Sequence, residues 1–129
     1  MKNGRFYLAK NIEFVSHFDT ANLPFQGKCH IVLLQNIHNF DVNKIIQIVR
    51  SLSRSAQSQE QLTTRIALAL ESEAKPLGVG VFLETRYRGR GDGTHRGAPP
   101  TVSTMTLRGK FKNQKKLRQE GIRLVQSFG

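Results

Sequence analysis

The hydrophobic period of this chain changes three times, and that constrains the fold more than any other feature. From Arg5 to Phe18 the period is that of a strand. Ile12, Phe14, Ser16 and Phe18 fall on one side, and Glu13, Val15 and His17 on the other. Leu23-Pro24-Phe25-Gln26-Gly27 reads as a turn, because Pro presets φ and Gly supplies a positive φ. Lys28 to Leu34 is a second apolar strand. The period then becomes helical. Asp41 can cap a helix whose stripe is Val42, Ile45, Ile46, Val49 and Leu52. Ser51 to Ser58, rich in Ser and Gln, reads as a connection. A second helix runs from about Ser58 to Ala74 with a stripe of Leu62, Ile66, Ala69, Leu70 and Glu73, and Pro76 stops it. Alternation returns at Gly78–Tyr87, where Val79, Val81, Leu83, Thr85 and Tyr87 oppose Phe82, Glu84 and Arg86. It returns again at Thr101–Phe111, where Met105, Leu107 and Phe111 oppose Thr104, Thr106, Arg108 and Lys110. A basic helix at about 113–128 follows, with Leu117, Leu124, Val125 and Phe128 as its apolar residues.

The order β-β-α-α-β-β predicts an α+β fold: a four-stranded antiparallel sheet carrying its helices on one face. The 129 residues read as a single domain, 1–129, long enough to bury a real core. No run reaches the ~18 apolar residues of a membrane helix, and Met1 to Arg5 leads into no apolar signal core. The lone Cys29 excludes an internal disulfide and a Cys-rich zinc cage. A cytoplasmic setting and no membrane partner are the expectations.

Lys and Arg number 20 against 9 Asp and Glu, a net charge of +11. Such an excess attracts nucleic acid, an anionic membrane or phosphorylated small molecules, unless it is plain solubility charge. Arg86 to Gly97 interleaves Gly and Arg around Tyr87, a composition that tracks nucleic-acid backbones in some proteins and forms solvated hairpin tips in others. Lys110, Lys112, Lys115 and Lys116 read as a solvated face or a phosphate-binding edge. His17, Asp19, His30 and His95 are candidate metal ligands by residue type, with plain hydrogen-bonded histidines as the competing reading. Gln57 to Thr63 opens the second helix and puts Glu60 in its first turn. A carboxylate there either complements the positive helix end or points into a cleft and accepts N–H groups from a ligand. The local residues do not choose between these.

A set of motifs bears on that choice. Ser16, Leu23-Pro24-Phe25, Gly27-Lys28 and His30 form one group, and Lys44-Ile45 with Ile48-Val49 a second. Gln57, Gln59-Glu60 and Leu62-Thr63 form a third. Pro76, Gly78-Val79-Gly80-Val81 and Glu84 form a fourth, and Thr104, Gly109 and Phe111 a fifth. In this order the chain resembles the C-terminal domain of GTP cyclohydrolase I, nearly without gaps from Glu13 to Phe111. The resemblance implies the tunnelling fold, in which such units join side by side into an oligomeric barrel. It also implies hydrolysis of GTP at a zinc held by two cysteines and a histidine, with two further histidines moving protons. At those places this chain reads Phe18-Asp19-Thr20-Ala21, Tyr87 and Gly89, so no metal is expected here. Without a zinc-activated water, ordinary cyclohydrolase chemistry is not expected either.

The ligand-binding half is better kept. Glu60 matches the glutamate that holds the ring N–H groups of guanine, and Gln59 matches its neighbour. Asn43 and Lys44 stand where the family binds phosphate at a helix start, although the nearby Arg is Gln47 here. Arg96 stands for a further family arginine, in a loop a few residues longer. The chain as given lacks the long helical N-terminal extension of the family, which counts against an enzyme. The leading expectation is a guanine- or pterin-type ligand bound at the interface of a homo-oligomer or of a hetero-oligomer with a related subunit. The protein would then be a pseudoenzyme or would catalyse altered chemistry. A working cyclohydrolase-type enzyme with an unusual site, and a basic nucleic-acid-binding or structural module, are the alternatives.

Overall fold

The computed structural model describes residues 5–18, 24–35, 41–86 and 100–127. Strands β1 (Arg5–His17) and β2 (Pro24–Gln35) pair antiparallel. Helices α1 (Val42–Ser53) and α2 (Gln59–Ala74) follow, then strands β3 (Gly78–Arg86) and β4 (Thr101–Gly109). A single helical turn α3 (Lys110–Asn113) and helix α4 (Lys115–Gln126) close the chain. The sheet runs β1-β2-β3-β4, with every pair antiparallel, as the period changes predict.

The alternating residues explain how the layers stack. Ile31 and Leu33 of β2, and Val79, Val81 and Leu83 of β3, point to one face and meet Ile45 and Val49 of α1 and Leu62, Ile66 and Leu70 of α2. Burial of each such side chain stabilises by roughly 1.5–3 kcal/mol. Val32 and Leu34 point to the other face. There Phe111, Val125 and Leu117 form a second cluster with Phe6, Phe82 and Leu107, so α3 and α4 cover part of the face that α1 and α2 leave open. Among the described residues, no helix covers the half of that face toward His17 and Arg86. Its rows are Glu13, Lys28 and Glu84, then Val15, Gln26 and Arg86. In β1, alternation survives a bulge between Ala9 and Ile12. Asn11 supplies its left-handed residue at φ 64°, and its N–H donates to His30 Nδ1 at 3.0 Å.

Several boundaries differ from the sequence reading. Pro24 to Gly27 belongs to β2 and is not a turn. Gly27 is required there by close strand approach: a Cβ would lie 2.1 Å from Glu84 O. Helix α1 runs on through Ser51 to Ser53, whose hydroxyl donates back to Arg50 O at 2.9 Å. Strand β4 ends at Gly109, φ 69°, so Phe111 enters the second core from a helical turn and not from the strand. Helix α2 ends as expected at Lys75, left-handed at φ 49°, just before Pro76. Leu23, residues 87–99 and Phe128 lie outside the described residues, and with them the expected end of the third strand at Tyr87 and most of the expected Gly-Arg loop.

Candidate functional site

The start of α2 is held by neutral groups. Ser58 Oγ accepts the Gln61 N–H at 3.1 Å, and Gln61 Oε1 accepts the Ser58 N–H at 2.9 Å, a reciprocal capping box. The spacing Ser-x-x-Gln before an apolar stripe signals this from sequence. Glu60 is therefore not used as a cap. It is exposed, and among the described residues its carboxylate has no hydrogen-bond or ion-pair partner. It lines a shallow recess of about 580 Å³ with Ala56, Gln57, Gln61, Thr64 and Arg65. The structure leaves it a weak helix-end interaction of ~0.3–1 kcal/mol and a side chain facing a recess.

Gln59 points the other way. It is buried, and its amide bridges α2 to the sheet: Nε2 donates to Val102 O and Thr104 Oγ1, both at 3.2 Å, and Oε1 accepts from Thr85 Oγ1 at 2.7 Å. Thr63 and Thr104 hydroxyls close the network at 2.7 Å. The polar side of β4 thus faces α2, while Met105 on the opposite side is exposed. In this arrangement Gln59 supports the layer beneath Glu60 instead of reaching the recess.

Asn43 and Lys44 sit at the start of α1, both exposed. Asp41 caps this end: its carboxylate accepts the Asn43 N–H at 3.0 Å, and its carbonyl accepts from Lys44 N–H at 3.0 Å. These amides are occupied, so an anion here would rely on the Asn43 and Lys44 side chains. The α1–α2 connection lies at the opposite end of α1, where Gln57 N–H bonds His17 O at 2.8 Å. From Lys44 to Ser53 the helix rises by roughly 13 Å. One copy of the chain therefore does not bring Asn43 and Lys44 beside Glu60. Arg96 lies outside the described residues.

The described residues do not fit the zinc of the resembled family. Phe18, at the place of a cysteine ligand, offers a phenyl ring that stacks on Phe25 at 4.6 Å. Cys29 is buried in the core beside Ile31 and Leu83, and that burial pushes its thiol pKa up. His30 is engaged at both nitrogens, by Asn11 N–H and by Glu84 Oε1 at 3.2 Å. His17 pairs with Pro24, six residues from His30 along β2, which is roughly 20 Å of strand. The two described candidate metal ligands are thus apart, and Asp19, Thr20, Ala21, Tyr87, Gly89 and His95 lie outside the described residues. Among the described residues no helix is long and apolar enough to cross a membrane.

Sequence reading alone missed Arg65. It lies five residues after Glu60, outside both the apolar stripe and the motif, and only the folded geometry puts it in the recess.

Comparisons with known proteins agree with the fold and the motif order. The chain is 36% identical over 125 residues to GTP cyclohydrolase 1 of Campylobacter jejuni subsp. doylei, covering 97% of this chain and 66% of that protein. It is 37% identical over 122 residues to GTP cyclohydrolase 1 of Listeria monocytogenes serotype 4a, covering 92% of this chain and 63% of that protein. The chain thus spans just under two thirds of these relatives. Among solved structures, archaeosine synthase QueF-Like superposes with a TM-score of 0.67 at 14% identity, over 84% of this chain and 97% of that one. E. coli dihydroneopterin aldolase in complex with neopterin gives 0.63 at 12%, over 81% and 99%. These two show the fold alone, the tunnelling fold. The profile of GTP cyclohydrolase I matches residues 2–126, and the chain belongs to the GTP cyclohydrolase I family.

Proposed function

We propose that this protein binds a guanine- or pterin-type ligand through Glu60, without the zinc-dependent hydrolysis of GTP. The observation that carries the reading is the Glu60 carboxylate at the start of α2, without a partner among the described residues, freed by a capping box that needs no charge and facing a recess. A 2-amino-4-oxo ring presents two parallel N–H donors, and a carboxylate offers two acceptors at matching spacing. The phenyl ring of Phe18 at a zinc-ligand place supports the loss of the metal step.

The reading extends to an assembly. Among the described strands, β1 and β4 are the sheet's edges, the kind of position at which a neighbouring copy or a related subunit can pair. Asn43 and Lys44 then reach the ligand's phosphates from a different copy than the one supplying Glu60, consistent with their separation along α1. Lys44, and Arg96 with it, act as cations for a phosphorylated ligand in this scheme. Gln59 acts beneath the site.

Titration of the full chain with guanosine, neopterin and GTP by calorimetry tests the binding. Saturable binding that Glu60→Gln abolishes supports it, and no binding of any of the three overturns it. Zinc analysis with a formate-release assay on GTP tests the second half. Stoichiometric zinc with turnover would establish a working cyclohydrolase instead.

A further inference from the structure

We infer that Arg65 is a specificity-determining residue of this site, donating to the ring carbonyl of the ligand while Glu60 accepts its N–H groups. The inference rests on the guanine- or pterin-binding reading above and adds a residue to it. Gln57, 1% exposed, fixes the arginine. Its Nε2 donates to Leu52 O and Ser55 O, each at 2.8 Å, and approaches Ser16 Oγ at 3.3 Å. With acceptors gathered on the nitrogen, Oε1 must face the opposite way, and it accepts from Arg65 Nη1 at 2.8 Å. Among the described residues, the guanidinium is bonded through that nitrogen alone. The exposed remainder of the planar fork stays available at the recess that Glu60 also lines.

Among the described residues, the carboxylate and the guanidinium share this recess without forming an ion pair. A carboxylate and a guanidinium set apart on one wall match a ring edge that reads donor, donor, acceptor. That is the edge of a 2-amino-4-oxo pyrimidine: exocyclic N–H, ring N–H, carbonyl oxygen. An arginine already held by a buried amide also loses less side-chain freedom on binding than a free one.

The test compares guanosine with 6-thioguanosine, which keeps both N–H donors and replaces the carbonyl oxygen with a poorer acceptor. The full chain should bind guanosine about tenfold more tightly, the scale of one hydrogen bond to a charged group. Arg65→Ala should bring the ratio close to one and leave circular dichroism and the thermal midpoint nearly unchanged. Arg65→Lys keeps the charge without the fork and should lose most of the discrimination. It also serves as the variant to read if Arg65→Ala fails to fold. A ratio unchanged in these variants, or an equal loss for both ligands, overturns the role of Arg65 while Glu60-dependent binding stands. Absence of guanosine binding to the unaltered chain would overturn the functional reading and this inference together.

Discussion

Helices α1 and α2 lie side by side on one face of the sheet, yet their starts are built differently. At α1 a charged residue does the capping: the Asp41 carboxylate takes the Asn43 N–H and places negative charge beside Lys44. At α2 a serine and a glutamine cap each other, and the charged residue of the first turn, Glu60, is left over. A carboxylate used by the fold and one left unused are the same group chemically. What separates them is whether a neutral side chain already satisfies the exposed amides. The end that is capped without charge has its carboxylate available for a ligand.

The comparison can be broken by substitution. The largest effect is expected at Gln59, which supports the α2 end from below. Gln59→Ala removes the bridge to Thr85, Val102 and Thr104 and should cost about 2–4 kcal/mol, through buried groups left unpaired and a small cavity. Urea unfolding measures this. A loss below about 0.5 kcal/mol would show that the polar layer between α2 and β4 is incidental. Next comes Glu60→Gln. Affinity for guanosine should fall by at least about tenfold, with stability moving by less than ~1 kcal/mol. The reverse pattern, a stability loss with no change in binding, would make Glu60 a helix-end residue like Asp41.

Asp41→Ala should cost ~1 kcal/mol as a lost cap. It should also strengthen binding of GTP relative to guanosine by about 2–5-fold, since a negative charge that repels the phosphates leaves the neighbourhood of Lys44. Calorimetry with both ligands reads the ratio, and an unchanged ratio removes Lys44 from the phosphate site. The smallest effect is expected for Ser58→Ala. It should lose up to ~1 kcal/mol, with guanosine affinity changed by less than about twofold. A larger fall in affinity would mean that the capping box positions Glu60 as well as satisfying amides.

Much of this is legible in the sequence. The switches of period gave the element order, and Ile45 and Val49 of the first stripe and Leu62, Ile66 and Leu70 of the second are buried in α1 and α2, whereas the exposed Val42 and Glu73 are not. The strand boundaries were less legible, because they depend on neighbours. Gly27 looks like a turn residue, but it is fixed by the Glu84 backbone, 57 positions later in the chain. Phe111 continues the alternation of β4 on paper, yet the left-handed Gly109 turns the chain before it. In the candidate site, Glu60 could be singled out by its motif. That Gln59 turns inward follows only from the register of β3 and β4, which sets Thr85 and Thr104 within reach of its amide.

By itself, then, the sequence determined the class of fold, the family motifs and which acidic side chain to watch, because periodicity and spacing are local properties of a chain. The tertiary structure decided which polar groups are used up and which remain free. Gln59 is consumed by the sheet, the amides of α1 by Asp41, and one nitrogen of Arg65 by Gln57. Hydrogen bonds are satisfied by whatever lies within about 3 Å in space, and that proximity is set by the packing of distant segments.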